Sequence, residues 1–282
     1  MSRIASVVRG DALPAPIFTP LVGGFAATIT QTSPETFWRS APAQAAALAE
    51  TARLFGLDAI TVGLDPAALA EAAGAEVDWS TGRGIVTSGV PAADAELSLD
   101  PGATTVLDVA LRLGQTLGGV TDVIGVVPGV ATLARLLAGD EQSAPDAAER
   151  LAARLVIEAA RGYGEVRVAA LLVLDDAEGF ATAESAAVRR AERVLANTAR
   201  FFDIPLLRSV PAGADADAER IAPAHAALPA DEPVTGVPSA VPVTPGEPVS
   251  VPSAWYTSAG ELDPALPPEL LHDLVGALRT DA

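Results

Sequence analysis

Short apolar runs alternate with longer, alanine-rich amphipathic stretches along most of the chain. A strand buried on both faces is typically a short apolar run, whereas a surface helix repeats its apolar residues every three to four positions. The pattern predicts strands at residues 15–21, 59–64, 123–127, 166–174 and 205–210. It predicts helices at residues 42–55, 100–117, 144–161 and 181–202. This alternation indicates βα units around a parallel sheet.

The alternation weakens in residues 211–253, where prolines are frequent. Proline donates no backbone hydrogen bond and is excluded from the middle of helices and central strands, so two regular βα units do not fit there. We expect short strands near 226–228 and 240–243, with shrunken or missing helices. The excursion at residues 80–99, which glycine and proline interrupt, is expected to be irregular.

One of the predicted strands ends at an acid and turns at once into a helix. Asp65 follows the apolar run 59–64 and precedes Pro66. In α/β folds, ligands bind and catalytic groups collect at the carboxyl ends of the strands. An Asp before a proline also suits the start of a helix, where such a cap is worth about 1 kcal/mol. Asp65 therefore has a functional and a structural interpretation, and the two are compatible.

Residues 58–77, DAITVGLDPAALAEAAGAEV, resemble the second βα unit of the uroporphyrinogen decarboxylase superfamily. Both have an acid that opens the strand and a second acid seven residues later. Residues 122–139 resemble the third strand and its helix, and residues 255–279 resemble the eighth strand, its loop and the closing helix. The resemblance implies that Asp65 is the catalytic aspartate of the decarboxylase branch. It also implies an α/β fold, a (β/α)8 TIM barrel, which we expect to be shortened in its sixth and seventh units and to form a single domain over residues 1–282.

Several polar groups of this family are missing at the matching positions. Leu21 and Phe25 stand where decarboxylases carry arginines that hold the eight carboxylates of the substrate, and the family's histidine after the eighth strand falls at Ala259 or Gly260. The methyltransferase branch activates a thiol with zinc held by a histidine and cysteines, and this chain has no cysteine. The resemblance therefore implies a ligand that is less anionic than a uroporphyrinogen.

Other polar side chains are expected at the ends of further strands. Asp175 follows the run 166–174, Ser209 lies at the end of 205–210, and Tyr256 lies in the last strand. We predict that these three residues bind the ligand together with Asp65. Each also has a plainer explanation, because Asp175 suits a turn and hydroxyls at strand ends usually satisfy loop backbone groups.

Charge and composition exclude several classes of partner. The 36 acids outnumber the 18 bases, all of them arginine, and the net charge of -18 repels nucleic acid and anionic membranes. No apolar run is long enough for a membrane span and the N-terminus lacks the apolar core of a signal peptide, so we predict a cytoplasmic protein. With no cysteine and only His225 and His272, thiolate and three-histidine zinc sites are impossible, and we predict neither metal nor cofactor.

Three hypotheses on function stay open. In the first, the protein is a decarboxylase-type lyase in which Asp65 stabilises a cationic, pyrrole-like intermediate of a small organic ligand. In the second, it is a non-catalytic binding or assembly protein on the same scaffold, for instance a homodimer that buries the barrel mouth. In the third, it is a methyltransferase that works without zinc.

Overall fold

The computed structural model of the chain describes residues 2–8, 17–89, 101–139, 145–176, 178–179, 185–209, 226–228, 239–241, 255–258 and 261–280. The strands in chain order are β1 Ile17–Phe18, β2 Ala59–Val62, β3 Glu76–Asp78, β4 Ile85–Ser88, β5 Asp122–Pro128, β6 Ala170–Leu174, β7 Leu206–Ser209, β8 Ala226–Leu228, β9 Ser239–Val241 and β10 Trp255–Ser258. The helices are α1 Arg3–Val8, α2 Gly23–Ile29, α3 Pro34–Arg39, α4 Ala41–Phe55, α5 Ala67–Ala72, α6 Pro101–Leu117, α7 Val130–Ala138, α8 Pro145–Glu165, α9 Ala186–Phe201 and α10 Pro268–Thr280.

Eight of these strands are parallel and follow one another in the order of a (β/α)8 barrel. One sheet has the order β2, β5, β6, β7, β8 and a second has the order β9, β10, β1. At the junction of β1 and β2, the Asp58 N–H donates to the Phe18 carbonyl at 3.4 Å, and the Phe18 N–H donates to Asp58 Oδ2 at 2.9 Å. The prediction of an α/β barrel fold is confirmed. The sixth and seventh strands, β8 and β9, have three residues each, at or next to the positions expected from sequence.

The barrel strands have an inner face and a face toward the helices. Successive residues of a strand point to opposite sides, so alternate residues belong to different clusters. The inner cluster joins strand residues with Ile4 and Val7 of α1, and its strand members include Ile17, Ala59, Ile124, Val126, Ala170, Leu172 and Leu207. The intervening residues, such as Ile60, Val62, Val123, Val127, Leu171, Val173 and Leu206, belong to the larger cluster with the helices. The two clusters show which way each strand side chain points.

The N-terminal helix α1 closes the end of the barrel where the strands begin. Ser2 Oγ donates to Asp122 Oδ2 at 2.8 Å, and the Ile4 N–H donates to the same oxygen at 3.1 Å. Arg3 forms an ion pair with Asp58. Because acids at the starts of β2 and β5 hold this helix, the carboxyl ends of the strands lie at the opposite end of the barrel.

The antiparallel hairpin of β3 and β4 is absent from the sequence-based prediction, which expects an irregular segment from residue 80 onward. Its residues Ile85 to Ser88 are mostly exposed, so no alternation of buried and polar positions marks the strand. The start of α9 also differs from the prediction. Ser185 Oγ accepts the N–H of Val188 at 3.1 Å, and this cap places the first helical residue at Ala186 instead of Ala181.

Gly125 of β5 gives a test of the contact between the sheet and α8. A Cβ at Gly125 would lie 2.5 Å from the ring of the buried Tyr163, whereas a Cβ at Gly114 on α6 would have nothing within 4 Å. We expect Gly125→Ala to lower the free energy of unfolding by about 1–3 kcal/mol. The same change at Gly114 is expected to raise it by up to about 1 kcal/mol, because alanine favours helix. Urea denaturation measures both, and equal effects would contradict the proposed contact.

Candidate functional site

Asp65 lies just beyond β2, at the carboxyl end of the barrel strands. Its Oδ1 accepts the N–H of Ala67 at 2.9 Å and its Oδ2 accepts the N–H of Gly84 at 2.8 Å. The residue is 8% exposed. Burial raises its pKa above the ordinary value, against the opposing effect of the two N–H donors and of Arg83. The carboxylate is therefore fixed in position and held in an environment that disfavours its charge.

The turn between β3 and β4 lies against Asp65 and is held there by two tryptophans. Trp38 Nε1 donates to the Gly82 carbonyl at 3.0 Å, and the Trp38 and Trp79 rings stack with centroids 5.1 Å apart. A Cβ at Gly84 would lie 2.3 Å from the Cβ of Ala67, so only glycine permits this close approach. The aromatic stack thus fixes the N–H that Asp65 accepts.

Glu261 brings a second carboxylate to the same end of the barrel. It follows β10 and forms an isolated bridge with Leu21, which follows β1. Its Oε1 accepts the N–H of Gly24 at 2.9 Å, and its Oε2 lies 3.5 Å from Arg83 Nη2. Burial raises its pKa, with the Gly24 N–H and Arg83 opposing and the charge of Asp65 adding to the rise. The two carboxylates therefore share one local field with Arg83.

Arg83 is held much less firmly than the two carboxylates. Its side chain is 61% exposed, whereas that of Glu261 is 15% exposed. The positive charge of Arg83 acts to lower the pKa of both Asp65 and Glu261. The site consists of the buried carboxylate of Asp65, the half-buried carboxylate of Glu261 and the exposed guanidinium of Arg83, which lies in the hairpin turn.

Sequence reasoning missed Glu261 and gave no role to Arg83. Glu261 directly follows Ala259 and Gly260, where the family's histidine is missing, and this position is the signal that would have found it. Arg83 stands between two glycines in a segment without a specific motif. Leu21 and Phe25, where the sequence resemblance places arginines, are both buried among apolar side chains. Both positions contribute to the apolar core.

Asp175 follows β6 and faces the helix layer. Its Oδ2 lies 2.8 Å from Arg208 Nη2, and Thr132 Oγ1 donates to its Oδ1 at 3.3 Å. Arg208 also pairs with Glu192 of α9 at 2.7 Å. The side chains of Asp175 and Arg208 are 1% and 5% exposed. Because Leu207 belongs to the inner cluster, its neighbour Arg208 points outward, and Asp175 contacts a different set of residues from Asp65.

The positions of Ser209 and Tyr256 are described at the level of the backbone. Ser209 is the last residue of β7 and pairs with Leu228, so it lies at the carboxyl edge. Tyr256 is the second residue of β10 and pairs with Phe18 and Ser239. A ligand-binding role for Asp175, Ser209 and Tyr256 stays a prediction.

The remaining sequence candidates add no further group to this site. His272 lies exposed on α10, and His225 lies outside the described residues. Within the described ranges, no three or more His, Asp or Glu side chains form a group that could hold a metal ion. No helix in that part of the chain is long and apolar enough to cross a membrane.

Asp65 also borders a small hollow on the helix side of β2 and β5. Its lining includes Leu69, Val106, Leu107 and Tyr163. The Tyr163 hydroxyl donates to the Val62 carbonyl at 3.0 Å, and burial raises its pKa. The apolar lining explains why the environment of Asp65 disfavours a charge.

Comparisons with known proteins agree with the fold and with the resemblance seen in the sequence. The family model described as Uroporphyrinogen decarboxylase (URO-D) matches residues 1–154. No curated protein matches the chain. Among solved structures, a methyltransferase from Methanosarcina mazei is similar with a TM-score of 0.70 and 14% sequence identity, over 98% of this chain and 97% of that chain. At that identity the likeness establishes the fold alone.

The raised pKa values of Asp65 and Glu261 predict how stability depends on pH. A carboxyl whose pKa is higher in the folded state binds protons more tightly there, so the free energy of unfolding falls as pH rises from the ordinary pKa to the raised one. We expect this fall to begin near the ordinary carboxyl pKa, at about pH 4, and to end once the raised pKa values are passed. It should be smaller in the double variant Asp65→Asn, Glu261→Gln. Urea denaturation across this range measures the difference, and identical pH dependence in both proteins would contradict it.

The ion pair of Asp175 gives a test of its structural role. Arg208→Met leaves the buried Asp175 and the half-buried Glu192 without this guanidinium and is expected to lower the free energy of unfolding by about 3–5 kcal/mol. Arg135, which pairs with Asp176 and Glu178 at the surface, is the matched control. Arg135→Met should cost less than about 1 kcal/mol. Equal costs in urea denaturation would mean that Asp175 does not depend on Arg208.

Proposed function

Because the chain belongs to the uroporphyrinogen decarboxylase (URO-D) family, we propose that it binds a small organic ligand at the carboxyl ends of its barrel strands, with Asp65 as the central carboxylate. The observation that supports this proposal is the fixed position of Asp65, whose two oxygens each accept one backbone N–H. A carboxylate that cannot rotate is already oriented before a ligand arrives. Preorganisation of this kind is what electrostatic catalysis requires.

In a decarboxylase-type reaction, Asp65 would stabilise positive charge that develops on a pyrrole-like ring. The carboxylate acts by its field and need not accept a proton. Its burial makes the interaction with a nearby positive charge stronger than it would be in water. The raised pKa of Asp65 means that the protein environment disfavours the carboxylate form. A positive charge that appears beside the carboxylate therefore stabilises that form strongly.

The charge of the site favours a ligand with few carboxylates. Leu21 and Phe25 are buried and apolar where the family's decarboxylases carry arginines, and Arg83 stands between two carboxylates. A ligand with eight carboxylates needs several paired cations, which these positions do not offer. The net charge of -18 repels such a ligand further. We therefore propose a tetrapyrrole-related or smaller molecule that is less anionic than a uroporphyrinogen.

A non-catalytic binding or assembly protein is the second candidate, and one observation favours it. Both oxygens of Asp65 are already used in joining α5 to the hairpin turn, as in a purely structural residue. A methyltransferase without zinc is the third, and it shares the fold of the neighbour from Methanosarcina mazei. It would be recognised by binding of a corrinoid or a folate.

The test separates the structural role of Asp65 from its role toward a ligand. A series of pyrrole-containing ligands with zero to eight carboxylates is screened for binding by calorimetry and for release of carbon dioxide. We expect binding to weaken as carboxylates are added. For a ligand that is turned over, we expect Asp65→Asn to lower the rate by about 10²–10³.

The control for this test is Asp78→Asn in the same hairpin. Asp78 accepts the N–H of Ser80 at 2.8 Å in an equally local arrangement, and it is exposed. The control should leave ligand binding unchanged. If Asp65→Asn lowers the melting temperature and the protein binds and converts no member of the series, the binding or assembly candidate is favoured.

A further inference from the structure

We infer that the site selects ligands that carry a protonated nitrogen, which pairs with Asp65 and Glu261 while Arg83 turns outward into solvent. This inference rests on the proposed ligand site at the carboxyl ends of the strands. It does not depend on any reaction. The ligand class is therefore a small organic cation with an apolar body.

The first argument is the balance of charge in the site. Asp65 is a buried carboxylate and Glu261 a half-buried one, and Arg83 is a cation that acts on both. The formal charge of these three side chains is -1. The chain as a whole carries -18, so the long-range field attracts cations and repels anions as well. A positive ligand completes the local charge balance, whereas an anionic ligand worsens it.

The second argument is that the two carboxylates are fixed and the guanidinium is not. Asp65 accepts the N–H groups of Ala67 and Gly84, and Glu261 accepts that of Gly24, so all three bonds to the backbone persist when Arg83 leaves. Arg83 is 61% exposed and its contact with Glu261 is 3.5 Å long. An exposed ion pair of this kind contributes little to stability, and its side chain can turn to water at small cost.

The third argument is a buried hydroxyl on the inner face of the barrel. Thr61 of β2 is 2% exposed, and its Oγ1 has no hydrogen-bond partner within the described part of the chain. Thr61 lies on the same face as Ala59 of the inner cluster, and its register partner is the apolar Ile124. Buried hydroxyls are normally hydrogen-bonded, so this one is suited to a polar atom that enters the barrel. The same strand thus presents a hydroxyl inside the barrel and a carboxylate at its end.

These features together describe the ligand by its chemistry. Its charged nitrogen donates hydrogen bonds to Asp65 and Glu261, and charge-assisted bonds of this type are the strong ones. Its body lies among the apolar side chains of the inner face, with one polar atom in reach of Thr61. The groups that face the charged nitrogen are Asp65, Glu261 and, before it turns away, Arg83.

The test uses benzylamine, benzyl alcohol and benzoate, three probes of nearly equal shape with charges of +1, 0 and -1. Isothermal titration calorimetry and ligand-observed NMR on the full chain are expected to rank benzylamine first and benzoate last, with at least a tenfold difference in Kd. Glu261→Gln should weaken benzylamine about tenfold and leave benzyl alcohol unchanged. Arg83→Ala, which removes the competing cation, should tighten benzylamine severalfold.

The matched control is Arg135→Ala, because Arg135 also bridges two carboxylates but lies away from Asp65. It should change none of the three affinities. A fourth probe, 4-(aminomethyl)benzyl alcohol, adds a hydroxyl at the far end of the ring. Thr61→Val is expected to weaken this probe and to leave benzylamine unchanged, since the single polar atom of benzylamine pairs with the carboxylates. The affinity for benzylamine should also fall as pH is lowered, because protons then compete for the two carboxylates. The melting temperature of each variant establishes that it is folded.

Two outcomes would overturn the inference. One is tighter binding of benzoate than of benzylamine, and the other is weaker binding of benzylamine by Arg83→Ala. Either result leaves the proposed ligand site standing, because a ligand still binds there. Failure of all three probes and of the pyrrole series at the carboxyl ends of the strands would overturn the proposed function as well.

Discussion

The carboxylate of Asp65 holds three segments of the chain in one arrangement. It lies three residues after the end of β2, it accepts the first free N–H of α5, and it accepts the N–H of Gly84 in the turn of the β3–β4 hairpin. Both bonds lie in a buried, apolar setting, where an unmade bond is costly. Asp65 therefore positions the hairpin, and Arg83 on it, together with the contacts of Trp38. The two carboxylate oxygens of Asp65 therefore hold the hairpin turn and also form the centre of the candidate site.

The buried strands could be predicted from sequence and the exposed ones could not. β2, β5 and β6 are covered on both faces, so they appear as uninterrupted apolar runs with acids or turns at their ends. The β3–β4 hairpin has no such pattern because β4 is mostly exposed. Its place is fixed by Trp38, which lies outside the segment, donates to the Gly82 carbonyl and stacks on Trp79 of the hairpin. The secondary-structure propensity of the hairpin residues does not reveal a contact with a residue so far away in the sequence.

The direction of a side chain at the end of a strand also escapes the sequence. Asp175 and Asp176 follow the same apolar run, and only one of two neighbouring residues can face the barrel axis. The register of the sheet decides the matter, because Leu172 lies in the inner cluster and Asp175 meets Arg208 on the opposite face. Glu261 was hidden for a related reason. Its pairing with Leu21 joins residues from the two ends of the chain, and one linear pattern does not reveal such a neighbour.

Leu21 and Phe25 are apolar where the sequence resemblance places arginines, and this determines the kind of site that this barrel offers. Buried apolar side chains at those two positions contribute to stability, but they provide no fixed cation there. The cation that acts on both Asp65 and Glu261 is Arg83, on a long side chain that is mostly in water. Fixed charges define what a site accepts, because they cannot move away from an incoming ligand. The loosely held charge of Arg83 instead balances the carboxylates while the site is empty. When a ligand binds and Arg83 moves away, the ligand meets a stronger negative field than the free protein presents.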